Sequence, residues 1–119
     1  MESLNKMTVV VKDNGFGIKN IIIDEPKTYN SLSFKTLKML IDIFKRLESD
    51  NKTRVIILSG NGKGFSAGHN LREVKNLKIR SKYLRLFNLC SKLMLNIVEG
   101  RKPVIAKVHG SAFAAGCQL

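Results

Sequence analysis

Residues 54–74 read RVIILSGNGKGFSAGHNLREV, and this stretch decides the fold. Its first part, Arg54 to Ser59, is a short apolar run rich in β-branched residues, which predicts a strand that is buried on both faces. A loop of small residues follows from Gly60 to Gly68, and Leu71 to Lys78 then predict a helix. A buried strand that leads through a glycine-rich loop into a helix is typical of an α/β protein.

The residues before this stretch predict a hairpin and a first helix. Two strand-like runs, Met7 to Lys12 and Ile18 to Asp24, are separated by Asp13-Asn14-Gly15, and Asn and Gly tolerate the positive φ of a tight turn. Ser33 is a favourable helix N-cap, and the helix that follows it ends near Glu48. The apolar stripe of this helix faces the core and consists of Phe34, Leu37, Leu40, Ile41, Phe44 and Leu47.

The residues after the stretch predict a second long helix and a second buried strand. The helix spans Lys82 to Val98 and is closed by Gly100. Its apolar side consists of Leu86, Leu89, Cys90, Leu93, Met94 and Ile97. The strand spans Pro103 to Val108, and a turn leads from it into the small-residue segment Ala112 to Gly116. The order of the elements predicts one α/β domain whose later strands are parallel.

The composition of the 119 residues fits one folded domain and excludes several classes of protein. Hydrophobic residues make up 44% of the chain, but no apolar run approaches the roughly 18 to 20 residues that span a bilayer. The first residues resemble neither a secretory signal nor a transit peptide, so no targeting signal is visible. Cys90 and Cys117 form no CxxC pair, and His69 and His109 lack metal-ligand spacing, so we expect no disulfide framework and no metal site.

The charge of the chain indicates an anionic partner. The net charge is +12, and residues 72–119 carry +8 of it. Nucleic acid, anionic lipid and phosphate-bearing cofactors all suit such a surface, and solvated lysine-rich helix faces account for it equally well. No basic patch interleaved with aromatic residues and no recognition-helix pattern accompanies the charge, so a basic nucleic-acid-binding module ranks last.

Both later strands end in a loop of Gly, Ala and Ser, residues 60–74 and 109–119. Open α/β sheets bind ligands at the carboxyl ends of their strands, and small side chains let a ligand approach the backbone. Two such loops side by side can aim two N–H groups at one carbonyl oxygen, as an oxyanion hole requires. Each loop alone is also explained by tight turns and close packing, and neither carries a dinucleotide or phosphate-loop fingerprint.

Three motifs together resemble the enoyl-CoA hydratase/isomerase (crotonase) superfamily. Pro26 with residues 30–33 (NSLS) resembles its PxxxNxLS stretch, and residues 64–71 (GFSAGHNL) are similar to its FSAGxDL loop. Residues 103–117 (PVIAKVHGSAFAAGC) are similar to its segment from P-[VT]-IA to GGGC. The resemblance implies a crotonase-like (ClpP/crotonase) α/β fold with a ββαβαβ start, truncated before completion. Residues 1–119 would then be the N-terminal portion of a single crotonase-like acyl-CoA-binding domain.

The same resemblance assigns roles to residues of the two loops. It implies that the backbone N–H groups of His69 and Ala115 form the oxyanion hole for a thioester carbonyl. The coenzyme A site would consist of Lys27, Ala67, Gly68, His69, Asn70, Leu71 and Arg72. The ligand or substrate would be a coenzyme A thioester of fatty-acid metabolism, with no tightly bound cofactor. The full-length protein would be a homotrimer or hexamer, mitochondrial or cytoplasmic.

The sequence departs from the family pattern at the positions that carry charge. Gln118 stands where hydratases of the family have a glutamate, and an amide cannot exchange a proton. Asn70 replaces the usual aspartate, and Ala114 and Ala115 replace glycines. Two interpretations therefore remain open, a catalytically weak enzyme and a non-catalytic regulatory protein that retains the coenzyme A site.

Overall fold

The computed structural model describes residues 7–68, 80–110 and 112. These residues form a four-stranded sheet that is covered by helices. The elements are β1 (Val9–Asp13), β2 (Ile18–Ile23), a 3₁₀ turn (Pro26–Thr28), α1 (Phe34–Ser49), β3 (Val55–Gly60), α2 (Arg80–Glu99) and β4 (Val104–Lys107). The strands lie in the order β1-β2-β3-β4; β1 and β2 are antiparallel, whereas β2, β3 and β4 are parallel. The α/β class and the predicted order are confirmed, and the helix predicted over Leu71 to Lys78 lies outside the described residues.

The hairpin forms as predicted, but its turn is longer than the Asp13-Asn14-Gly15 signal indicates. Asn14 N–H donates to the Ile18 carbonyl over 2.9 Å, and Ile18 N–H donates to the Gly15 carbonyl over 3.0 Å. Gly15, Phe16 and Gly17 all have positive φ, at 82°, 56° and 78°. The turn therefore depends on two glycines, and it leaves Phe16 projecting into solvent.

Helix α1 begins at the predicted cap and covers the sheet with most of its predicted stripe; Phe34 of that stripe is only half-buried, and Ile43 joins it. The Ser33 hydroxyl accepts a hydrogen bond from Thr36 N–H over 3.2 Å, which satisfies one of the free N–H groups of the first turn. The buried apolar residues of α1 are Leu37, Leu40, Ile41, Ile43, Phe44 and Leu47. They form one core with Leu86, Cys90 and Leu93 of α2 and with Val9, Ile21, Ile23, Ile56 and Leu58 of the sheet.

The prediction that the two later strands are buried on both faces is wrong. Ile56 and Leu58 of β3 are buried in the core, whereas the intervening Val55 and Ile57 are only half-buried. In β4 the exposure is greater, and Ile105 is 55% exposed. The physical reason is that the core of the described residues lies on a single face of the sheet, so alternate side chains point away from it.

The length and hydrophobicity of the two described helices show whether either could span a membrane. Neither α1 nor α2 combines the length and the apolar character that a bilayer span requires. In the part of the chain that the structure describes, the prediction of no membrane-spanning helix is therefore confirmed.

The exposed apolar side chains of β4 predict self-association of the 119-residue chain at high salt. The net charge of +12 keeps molecules apart at low ionic strength, but salt screens this repulsion beyond about 8 to 10 Å. The contact of Ile105 and Val108 with another molecule is not screened. We expect the mass measured by light scattering to rise with salt, and Ile105→Lys to reduce that rise.

The matched control is Asn51→Lys, which adds the same charge at an exposed polar position and removes no exposed apolar side chain. Equal suppression by both variants would show that net charge alone governs association. A monomer at every salt concentration would contradict the prediction.

Candidate functional site

The carboxyl ends of three parallel strands place three chain segments at one edge of the sheet. Strand β2 leads into residues 24–33, β3 into residues 60–68, and β4 into residues 108–112. This edge is where open α/β sheets bind ligands. The segments after β3 and β4 are the two small-residue loops of the sequence, and they are called here the β3 loop (60–68) and the β4 loop (108–112).

Asn30 connects the first segment to the β3 loop from a fully buried position. Its side-chain oxygen accepts from Glu25 N–H over 2.8 Å, and its Nδ2 donates to the carbonyls of Asn61 and Gly64 over 2.7 and 3.0 Å. Its φ of 55° is in the left-handed region, which asparagine adopts more readily than most residues. One amide group therefore satisfies three backbone groups that come from two separate loops.

Further hydrogen bonds hold the end of the β3 loop against the same segment. The Ser66 hydroxyl donates to the Asn30 carbonyl over 2.8 Å and accepts from Gly68 N–H over 3.2 Å. Ala67 N–H donates to the Tyr29 carbonyl, and Leu32 N–H donates to the Gly68 carbonyl. The positions of Ala67 and Gly68 are thus fixed by the backbone of the segment that contains the PxxxNxLS motif.

Gly60 is required at the beginning of the β3 loop because other backbone atoms come very close to it. A Cβ atom there would overlap the Phe65 carbonyl oxygen and would lie 2.7 Å from Asn30 Nδ2. The loop folds back on itself at this point and buries the Phe65 side chain in the core. A larger residue at position 60 would displace the Asn30 amide from its partners.

The β4 loop lies alongside the β3 loop. Ser66 and Ala112 form an isolated parallel β-bridge. His109 Nε2 lies 2.6 Å from the Gly62 carbonyl oxygen, and a Cβ atom on Gly110 would overlap the Lys63 carbonyl oxygen. The predicted side-by-side arrangement of the two small-residue loops is therefore observed up to Gly68 and Ala112.

The structure describes three of the residues that the sequence assigned to the site. Lys27 is an exposed residue of the 3₁₀ turn, and Ala67 and Gly68 end the described part of the β3 loop. The turn that carries Lys27 adjoins Tyr29, and the Tyr29 carbonyl accepts a hydrogen bond from Ala67 N–H. Lys27, Ala67 and Gly68 therefore lie at one edge of the sheet. The others lie outside the described residues, namely His69, Asn70, Leu71, Arg72, Ala115 and Gln118.

The sequence reasoning missed the residues that position the loops. The motifs contain Asn30 and Ser66 without indicating their hydrogen bonds, and no pattern predicts the hydrogen bond of His109. The available signal for Asn30 was an asparagine three residues before the helix cap Ser33, in a segment rich in turn residues. No sequence pattern pointed to the partners of these side chains, because all of them are backbone N–H or carbonyl groups.

In the part of the chain that the structure describes, the ionisable groups with shifted pKa values lie away from this edge. The Lys19 ammonium, hydrogen-bonded to Asp13 at the opposite edge, lowers the pKa of that carboxyl, and the Thr53 hydroxyl lowers the pKa of Asp50. Burial raises the pKa of the Cys90 thiol in α2, which disfavours the reactive thiolate. The residues described here also contain no cluster of three or more potential metal ligands.

A cavity of about 350 Å³ lies elsewhere, between the C-terminal ends of α1 and α2. Its floor is formed by apolar side chains that include Phe44, Ile56 and Val104, near the amino ends of β3 and β4. Lys102 Nζ, at its rim, donates to the carbonyls of Leu47 and Asp50 at the end of α1. This cavity is at the opposite end of the parallel strands from the two loops.

Comparison with known proteins gives a consistent result. A family model described as enoyl-CoA hydratase/isomerase matches residues 13–119. The human protein named enoyl-CoA hydratase domain-containing protein 3, mitochondrial, is 43% identical over 103 residues, which cover 87% of this chain and 34% of that protein. The resemblance found in the sequence is thereby confirmed, and this chain spans about a third of that relative.

Solved structures agree with the sequence comparison. An enoyl-CoA hydratase from Mycobacterium smegmatis superimposes with a TM-score of 0.92 at 37% identity, over 96% of this chain and 44% of that one. The crystal structure of the human domain-containing protein 3 gives a TM-score of 0.89 at 39% identity, over 95% of this chain and 44% of that one. The predicted crotonase-like start of the fold is confirmed.

Replacing Asn30 by alanine is expected to destabilise the chain strongly. The change leaves three backbone groups without their partner, of which the Gly64 carbonyl is buried and the groups of Glu25 and Asn61 are partly buried. An unsatisfied buried group costs about 1 to 3 kcal/mol, so we expect the free energy of unfolding in urea to fall by about 2 kcal/mol or more.

Asn61→Ala is the matched control, because the Asn61 side chain donates to Asp24 and accepts from Gly62 N–H in exposed positions. That variant should lose about 1 kcal/mol or less. Equal losses in the two variants would show that the buried amide has no special role.

Proposed function

The chain belongs to the enoyl-CoA hydratase/isomerase family, and from this premise we propose that it binds the thioester carbonyl of an acyl-coenzyme A in a backbone oxyanion hole. The observation that carries the proposal is the contact between the two small-residue loops, joined by the Ser66–Ala112 bridge. The ligand would be a coenzyme A thioester of fatty-acid metabolism, and residues 1–119 would be the N-terminal portion of one acyl-CoA-binding domain.

The spacing along the two loops supports His69 and Ala115 as the two donors. Ser66 and Ala112 form the bridge; His69 is three positions after Ser66, and Ala115 is three positions after Ala112. Three residues of chain span at most about 10 Å, so each proposed donor lies within that distance of its bridge residue. A thioester oxygen between the two N–H groups would then be stabilised as its charge develops, and one such donor typically contributes about 3 kcal/mol.

The coenzyme A portion of the ligand would lie along the end of the β3 loop. Ala67 N–H is bonded to Tyr29, so a contact of the ligand with Ala67 uses the carbonyl oxygen, which suits an amino group such as that of adenine. Exposed Lys27 would provide charge to the phosphates, together with Arg72. Gly68, Asn70 and Leu71 would line the same groove.

Gln118 favours a second candidate function, a coenzyme A-binding regulatory protein without catalysis. The residue occupies the position of the family glutamate that handles water, and its amide can orient a carbonyl or a water but cannot take up a proton. The two functions share the binding site and differ in the chemical step. They are separated by measuring the hydration of crotonyl-CoA beside its affinity.

We also propose that the protein acts in the mitochondrion and assembles as a homotrimer or hexamer. The first proposal is supported by the word mitochondrial in the name of the human relative. The second is supported by membership of the family, together with the apolar side chains that β4 and α2 expose, among them Ile105 and Val98.

Gly68→Val is expected to abolish most of the affinity for crotonyl-CoA, because the added side chain would occupy the approach to the loop backbone. We expect a loss of at least tenfold by isothermal titration of the intact protein, about 1.4 kcal/mol. Gly68 has a φ of 88°, so valine also strains the backbone there.

Gly15→Val controls for this strain. Gly15 has a similar φ of 82° and open space around its Cβ position, and it lies in the hairpin turn. That variant should bind as the wild type does. Unchanged binding by Gly68→Val would refute the site, and an equal loss in both variants would assign the effect to folding.

Gln118→Glu is expected to raise the rate of crotonyl-CoA hydration, because it returns a titratable group to the position of the family glutamate. The reaction is followed by the loss of the conjugated enoyl absorbance. Gln118→Ala, which removes the amide without adding an acid, should show no increase. Normal binding of crotonyl-CoA by the Gln118→Glu variant without any gain in hydration would show that another residue limits the chemistry.

A further inference from the structure

We propose that His109 is a positioning residue that sets the distance between the two loops and, through it, the distance between the two proposed N–H donors. This inference rests on the proposed function. Its basis is the hydrogen bond from His109 Nε2 to the Gly62 carbonyl oxygen over 2.6 Å, a side-chain bond from the β4 loop to the β3 loop.

The contact with His109 is the first of three that align the loops. Along the β4 loop, His109 meets Gly62, Gly110 approaches Lys63, and Ala112 pairs with Ser66. The second and third contacts are made by backbone atoms, so they do not depend on a functional group of a side chain. The first depends on the side chain of residue 109, and it holds the loops together at the end nearest the strands.

The chemistry of this bond defines what His109 can do. A carbonyl oxygen only accepts hydrogen bonds, so Nε2 must carry the proton and act as the donor. While the bond exists, the Nε2 lone pair is unavailable as a base. The side chain therefore acts by holding the loop rather than by proton transfer through Nε2.

Because of its position, His109 can affect the geometry of the two loops without affecting the folding of the domain. Its side chain is exposed and lies outside the core, so its removal leaves the buried residues of the domain unchanged. An oxyanion hole, in contrast, needs both donors at about 2.7 to 3.1 Å from the oxygen. A small change in the spacing of the loops is thus expected to affect recognition of the carbonyl and not stability.

The test compares two ligands that differ only at the carbonyl. Butyryl-CoA has the thioester carbonyl, and S-butyl-CoA is the thioether with a CH₂ group in its place. The ratio of their dissociation constants on the intact protein measures recognition of the carbonyl oxygen. We expect His109→Leu to reduce the preference for the thioester by about tenfold, with the affinity for S-butyl-CoA and the melting temperature unchanged.

Two further variants complete the experiment. His109→Gln keeps an amide donor at the end of the side chain and should restore most of the preference for the thioester. Lys107→Ala, two residues earlier in β4 and exposed, should behave as the wild type.

The outcomes separate this inference from the proposed function. A wild-type protein that binds both ligands equally has no oxyanion hole, which overturns the proposed function and the role of His109 with it. A wild-type preference that His109→Leu retains overturns the role of His109 alone. An equal loss of affinity for both ligands, with a lowered melting temperature, in His109→Leu also overturns the role of His109, because the residue would then be structural.

Discussion

The buried side-chain amide of Asn30 is the interaction on which the loop edge of this protein depends. The amide accepts from one backbone N–H and donates to two backbone carbonyls, and the residues that it joins lie on both sides of α1 in the sequence. The φ of 55° directs the side chain into the interior. No apolar residue can satisfy these three groups, and the Gly64 carbonyl would remain buried without a partner.

The β3 loop is consequently held from two sides. On one side Asn30 and Ser66 connect it to the segment after β2, and on the other side His109 and the Ser66–Ala112 bridge connect it to the β4 loop. Loops with few buried contacts are generally the mobile part of a domain. A loop held in this way can instead present backbone N–H groups at fixed positions, as electrostatic stabilisation of a carbonyl requires. The proposed stabilisation by backbone N–H groups would need no charged side chain, which is consistent with the neutral residues Asn70 and Gln118 in the sequence.

Local patterns in the sequence predicted the helices and strands well, but they did not predict the contacts between residues that are distant in the sequence. The hairpin, the Ser33 cap and both long helices follow from turn chemistry and helical spacing, which act over a few residues. The burial of β3 and β4 was predicted wrongly, because an apolar run shows that a strand is hydrophobic and not whether a second layer covers it. The meeting of the two loops was predictable from parallel strand ends. The contacts of Asn30 and His109 were not, since their partners are backbone groups as far as 34 and 47 residues away.

The most direct measurement of the central claim is the carbonyl stretching frequency of an acyl-CoA bound to the intact protein, with the thioester carbon labelled with ¹³C. Difference infrared spectroscopy isolates this one bond from the protein background. Two backbone donors at the oxygen weaken the C=O bond, so the account predicts a frequency clearly below that of the same thioester in water. A bound thioester whose frequency equals the value in water would contradict the account, because its oxygen would then have no donors beyond those that solvent already provides.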